Sequence, residues 1–365
     1  MHAVDGLAQL HFLHPLTLPQ SIDRAVRASH PDLIIPADDA SVCLLHDLAA
    51  RRPEHAPLVE RSLGHPRHYA LLRSRRAFLD LAHSLAIPCS AARLIDSRAA
   101  IDAIGCTFPT VLKYDGTSGG YGVVLAHNAE ELHQGYRMLM RHRLPLRSLK
   151  RLFINADVPS LYRCANLPAE EITHHAYIPG TPANGLFVAK QGEVLAQIQV
   201  RVERALSATG ASVVVERIHH PAILEAAQKI AAHLQLSGFF GLDFILHAET
   251  GEPWLLEINP RATQLCHIPL DPAHNHFATL ADAAYTLAAD CATPPPLPPQ
   301  PIHPRLAFFP QALTLPPEDP ILASAFLDRP ESEPDLVAEM ERPVWPDRRP
   351  WLRLYNAINQ CLPLR

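Results

Sequence analysis

The chain has 365 residues and is 48% hydrophobic, enough for two or three modest domains with a genuine core. A formal net charge of −5 leaves no basic footprint for nucleic acid or for an anionic membrane surface. No run of about 18 apolar residues is present to cross a membrane, and the first residues lack the basic start and apolar core of a signal peptide.

Residues 1 to about 70 read as alternating α/β structure. Ser21 to Ser29 is a short amphipathic helix, PDLIIPADD (31–39) a buried strand, and Ser41 to Ala50 the following helix. A strand that ends in carboxylates before a helix is a βα unit, where ligands gather, so Asp38 and Asp39 either touch substrate or cap the helix. Arg73 to Leu85 follows as a helix with apolar residues at 78, 81, 82 and 85, stopped before Pro88. Phe108 to Lys113 is a strand, Asp115 to Gly122 a glycine-rich loop, and Val123 to Leu125 the returning strand, with Asn128 capping a helix that carries Glu130 and Glu131. Glycines let a backbone approach phosphates, and a lysine at a strand end adds a full positive charge. No GK[ST] follows the glycines and no GxGxxG is present, so neither a Walker loop nor a Rossmann fingerprint is encoded.

HAYIPGTPANGLFVAKQGEVLA (175–196) reads as strand, turn, strand, hairpin and strand, and ATGAS within 197–221 as a loop of small residues. Ala222 to Leu234 is a helix with one apolar face. It leads into Gly238 to Arg261, where LDFIL and PWLLEIN flank a turn-forming segment. Folding this hairpin about Thr250 sets Asp243 opposite Glu257, and Glu257 and Asn259, two apart on a strand, share a face. Three oxygen-bearing side chains then converge as a hard cation such as Mg²⁺ requires. Phe277 to Ala289 is a further helix, and CATPPPLPPQPIHP (291–304) an extended linker. Cys43, Cys89, Cys106, Cys164, Cys266, Cys291 and Cys361 form no CxxC pair and are an odd number, as expected of reduced thiols in a cytoplasmic protein. The pairs His174–His175 and His219–His220 lack metal-ligand spacing and read as structural or surface residues.

Two motifs, the lysine with its glycine-rich loop and E-I-N-P-R after an apolar strand, resemble the ATP-grasp superfamily. The resemblance covers about residues 70 to 290. It implies an α/β and α+β chain: an ATP-grasp fold of two α+β subdomains gripping ATP, preceded by a shortened Rossmann-like α/β domain. The division expected is 1–70 for that first domain, 71–290 for the ATP-grasp domain, 291–304 for the linker and 305–365 for a C-terminal appendage. The family's glycine-bearing first strand is missing, so the amino terminus reads as truncated or abbreviated.

The resemblance implies Asp243, Glu257 and Asn259 as Mg²⁺ ligands (Mn²⁺ substituting) and Arg261 beside the reacting carboxylate or acyl phosphate. It places Lys113 on the phosphates of ATP, with Gly119, Gly120 and Gly122 closing over them as a lid near 113–124. Arg75 is either the family's basic phosphate contact or part of a solvated face with Arg73 and Arg76. Tyr177 and Ile178 supply the hinge backbone that pairs with adenine, although Ala176 stands where an acidic residue is usual. Ser212, Thr263 and His267 are candidates for the substrate side. Cys266 and His267 do not read as a catalytic pair, since no third orienting group is visible.

The activity implied is ATP-dependent ligation of a small-molecule carboxylate to an amine, with ADP and phosphate released. An ATP-grasp kinase or carboxylase-like enzyme and a non-catalytic ATP-binding regulator are the alternatives. The resemblance allows a homodimer; no interface is legible.

Overall fold

The computed structural model describes residues 11, 17–115, 122–140, 171–288 and 301–342. The first described elements are helices: α1 (Leu18–Ser29), α2 (Asp39–Arg51), α3 (Ala56–Leu63), α4 (Tyr69–Leu72) and α5 (Arg75–Ser84). The first four pack on one another through Val26, Val42, Leu45, Leu48, Val59, Leu63 and Tyr69. The helix expected over 73–85 starts two residues later because Ser74 caps α5, accepting a hydrogen bond from Ala77 N at 3.2 Å. That cap makes Arg75 the first helical residue.

The segment 31–39, expected as a buried strand, is instead irregular chain up to Asp38 that pairs with no described strand, and Asp39 already begins α2. Pro31 and Pro36 lack N–H donors, and no strand lies among the described residues before Arg93. The segment works as a strap. Ile34 N donates to Ser62 Oγ at 3.0 Å, and Pro36 O accepts from Ala262 N at 3.0 Å.

A four-stranded sheet follows, built from β1 (Arg93–Leu94), β2 (Thr110–Tyr114), β3 (Val123–Ala126) and β4 (Ile172–Ala176) in the order β1-β4-β2-β3. Helices α6 (Arg98–Asp102) and α7 (Ala129–Met140) contribute to the core on one face of it, with Leu112, Tyr114, Ala126 and Ile172 buried against Ile101, Leu132 and Leu139. Asn128 caps α7 as expected, accepting from Glu131 N at 2.9 Å.

Residues 177–179 join β4 to the larger sheet. It contains β5 (Gly180–Lys190), β6 (Glu193–Ala205), β7 (Ser212–Ile218), β8 (Gly238–His247), β9 (Pro253–Asn259), β10 (Arg305–Phe308) and β11 (Phe326–Asp328). Its order is β11-β10-β7-β6-β5-β8-β9, antiparallel except for β10 with β11. One face is covered by α5 and α8 (Pro221–Leu234), whose Phe78, Ile223, Ala227 and Ile230 meet Phe187, Phe240, Leu242 and Phe244. The other face buries Leu186, Val188, Ile198 and Val200 beneath Leu265, Ile268 and α9 (Leu280–Tyr285). This last helix is shorter than the expected 277–289. Thr279 and Asp282 form a capping box that fixes its start at Leu280.

The described residues after the proline-rich run, 301–342, add strands to the larger sheet. β10 pairs with β7, and the short helix Gln311–Thr314 buries Ala312 with Val213, Val214 and Ala307.

Candidate active site

Side chains alternate across a strand, so β8 sends Phe240, Leu242 and Phe244 into the core and Asp243 to the opposite face. In the observed register Asp243 lies opposite Glu257, and Gly241 opposite Asn259, as the hairpin pattern predicts. Asp243 Oδ2 accepts from Asn259 Nδ2 at 3.0 Å, and its Oδ1 accepts from Asn184 Nδ2 at 2.6 Å. Burial and the neighbouring Glu257 carboxylate push the Asp243 carboxyl above the ordinary range. Burial would raise Glu257 as well, but Arg75 and Lys113 hold it below the ordinary range.

Arg75 reaches this pair from the start of α5. Its guanidinium donates to Glu257 Oε2 at 2.6 and 3.2 Å and to Asp115 Oδ1 at 3.0 Å, and only 9% of the side chain is exposed. The solvated-face alternative for Arg75 is thereby removed. Its neighbours serve elsewhere, Arg73 on Asp47 at 3.1 Å and Arg76 on Glu171 at 2.9 Å. Lys113 comes from β2 in the smaller sheet. It is buried, and burial brings its ammonium down to about 8 even though Glu257 and Asp243 pull the other way. Two cations from separate elements therefore face one carboxylate pair. Across β4, Thr173 and His175 share the Lys113 face; His175 is buried and held well below its usual range, so it adds no charge.

Arg261 stands on the other side of Asn259. Its Nη2 donates to Asn259 Oδ1 at 3.2 Å and its Nε to Asp39 Oδ1 at 2.8 Å. The adjacent carboxylates of the N-terminal segment thus divide their work. Asp38 caps α2, accepting from Ser41 N at 2.8 Å, while Asp39 turns to Arg261. Thr263 lies over the bare face of Gly241, with its Cγ2 3.4 Å from where a Cβ would stand. Ser212 Oγ reaches Asn184 Oδ1 at 3.5 Å.

His267, the other substrate-side candidate, is engaged on β11. Its Nε2 bonds Asp328 Oδ2 on β11 at 2.7 Å, and the Asp328 carboxylate and the Cys266 thiol raise the imidazole to about 10. Tyr177 and Ile178 lie in the connection between the two sheets, with Tyr177 exposed. Gly122 precedes β3 and its carbonyl accepts from Tyr114 N at 2.8 Å; Gly119 and Gly120 lie outside the described residues.

Sequence reasoning missed Asn184, Asp115 and the pairing of Asp39 with Arg261. Asn184 sits in P-A-N-G, which reads as a turn, and only the alternation with Leu186 and Val188 marks its face. Asp115 and Arg75 are 40 residues apart, and Asp39 and Arg261 are 222 apart.

Residues 104–264 match the family model of the ATP-grasp domain. The L-amino acid ligase from Bacillus licheniformis is similar in fold, with a TM-score of 0.50 and 12% identity over 69% of this chain and 54% of the ligase. Pyruvate carboxylase of Rhizobium etli is similar at a TM-score of 0.51 and 16% identity, over 80% of this chain and 24% of that protein. The chain therefore carries an ATP-grasp domain, in the fold that the two sheets describe. It spans about half the length of the ligase and about a quarter of the carboxylase. No curated protein sequence matches it.

The cleft fits a divalent cation. Asp243 and Glu257 stand opposite each other and are part-buried, so two like charges are held together on one face. A cation between them would offset that repulsion. Oxygen donors alone, two carboxylates and an amide, suit Mg²⁺ or Mn²⁺ rather than zinc.

Proposed function

We propose that this chain is an ATP- and Mg²⁺-dependent ligase that activates a substrate carboxylate as an acyl phosphate for attack by an amine. The observation that carries the reading is the convergence of Lys113, Arg75 and Arg261 on the Asp243–Glu257–Asn259 face. Phosphoryl transfer is chiefly positioning and charge neutralisation, and the cleft gathers charge of both signs from four elements. Lys113 would hold the phosphates of ATP from the smaller sheet. Arg75 orients Glu257 and Asp115, so its first task is to set the carboxylate rather than to meet phosphate alone. Bound to Asp243, Glu257 and Asn259, Mg²⁺ would offset phosphate charge. Arg261 already forms an ion pair with one carboxylate, that of Asp39, and its guanidinium fork suits the substrate's carboxylate or acyl phosphate. The substrate amine can pass its proton to a phosphate oxygen, so no encoded general base is required.

Hydroxylamine tests the acyl phosphate directly. With Mg²⁺, ATP and a panel of amino acids and other small carboxylic acids, but no other amine, the reading predicts accumulation of a hydroxamate with at least one acid. ADP release without hydroxamate for any acid would contradict the acyl phosphate.

A further inference from the structure

Both oxygens of Asp243 are held by amides, and only one of those amides belongs to the expected ligand set. The second, Asn184, stands on β5 directly across from Asp243 in the register. Its Nδ2 donates to Asp243 Oδ1 at 2.6 Å, and its Oδ1 accepts from Ser212 Oγ at 3.5 Å. With the donor end committed to a carboxylate and the acceptor end to a hydroxyl, the amide has one favoured orientation. On the far side Asn259 repeats the pattern. It donates to Asp243 Oδ2 at 3.0 Å and accepts from Arg261 Nη2 at 3.2 Å, while Arg261 Nε donates to Asp39 at 2.8 Å. One hydrogen-bonded row thus runs from Ser212 on β7 through β5, β8 and β9 to Asp39 on α2.

Asp243 sits in the middle of this row and opposite a second carboxylate. The Asp243–Glu257 contact is electrostatically unfavourable when both are ionised, so an unrestrained Asp243 side chain would turn away. Asn184 opposes that rotation with a short, charge-assisted bond.

We propose that Asn184 is a positioning residue: it fixes Asp243 in the orientation that receives a divalent cation and ties that carboxylate, through Ser212, to the 206–211 loop. This rests on reading the cleft as the site of a divalent cation and ATP. Asn184 does not touch the reacting atoms. Partners of metal-ligating carboxylates typically change metal affinity by about 10- to 100-fold.

The test uses the full chain with Mn²⁺ and ATP, following Mn²⁺ by electron paramagnetic resonance and subtracting what ATP alone holds. Asn184→Ala removes the amide, and Asn184→Leu removes it while keeping most of the volume, so a fold lost in the first is retained in the second. Both variants are expected to weaken Mn²⁺ by about 10-fold or more and to leave metal-free ATP binding unchanged, a split that general loosening of the sheet would not give. Ser212→Ala is expected to weaken Mn²⁺ as well, by a smaller factor. Wild-type Mn²⁺ affinity in Asn184→Leu would overturn the proposal, and wild-type affinity in Ser212→Ala would overturn its link to the loop. Failure of the wild-type chain to bind Mn²⁺ with ATP at all would overturn the site reading itself, and the proposal with it.

Discussion

His46 is buried against Tyr69, ring on ring at 3.7 Å, and burial brings its imidazole down to about 3. Arg73 beside it, donating from Nε to Nδ1 at 3.3 Å, lowers it further. The unfolded chain takes up a proton there below the ordinary value of 6.5, and the folded chain does not. Stability is therefore complete above 6.5 and falls as pH drops from 6.5 toward 3, by about 1.4 kcal/mol per unit at most. Urea unfolding at about pH 7 and about pH 5 measures this slope. Replacing His46 by Phe, which keeps a ring on Tyr69, should reduce the loss between the two conditions by about 2 kcal/mol. An unchanged loss would mean that His46 is protonated in the folded state. His267 has the opposite sign: its pairing with Asp328 stabilises below 6.5 and is lost as pH rises through about 10.

The hairpin β8–β9 and helix α8 hold the site from below. Phe240 is 1% exposed and stacks on Phe187 with ring centroids 5.2 Å apart, between the sheet and α8. Phe240→Ala should destabilise by about 3–5 kcal/mol, read as a fall in the urea midpoint. Because Phe240 is three residues from Asp243 and shares its strand, Mn²⁺ binding should weaken in the same variant. This hairpin was the most legible element in the sequence. Two strands about a short turn have few registers, and the one folded about Thr250 sets Asp243 directly opposite Glu257. The segment 31–39 was misread for the converse reason. Its apolar run satisfies a strand pattern, but a strand also needs a paired neighbour, and Leu33 and Ile34 bury themselves on different clusters instead. Asn184 was hidden by its own neighbours, since Pro182 and Gly185 suggest a turn where the chain runs straight as β5.

Across the whole molecule the site is assembled from pieces that do not adjoin in sequence. Arg75 and Glu257 are 182 residues apart, and Lys113 comes from the smaller sheet while the carboxylates belong to the larger. Motif spacing could propose each piece but not the ion pairs between them, because those depend on how the sheets face each other. The connection between the sheets is tightly built. Gly180 begins β5 against the backbone of Leu246, where a Cβ would collide with the carbonyl oxygen. The C-terminal strands belong to the same body, with β10 closing the β7 edge and Asp328 reaching His267.

The ligase reading stands or falls on ADP release from Mg²⁺ and ATP across small carboxylic acids and amines, singly and in pairs, with Glu257→Gln beside the wild type. Release should require a carboxylate and an amine together. It should also fall by at least about 100-fold in the variant, because Glu257 is both the carboxylate that Arg75 orients and half of the cation pair. Release that is unchanged in Glu257→Gln, or that needs neither acid nor amine, would contradict it.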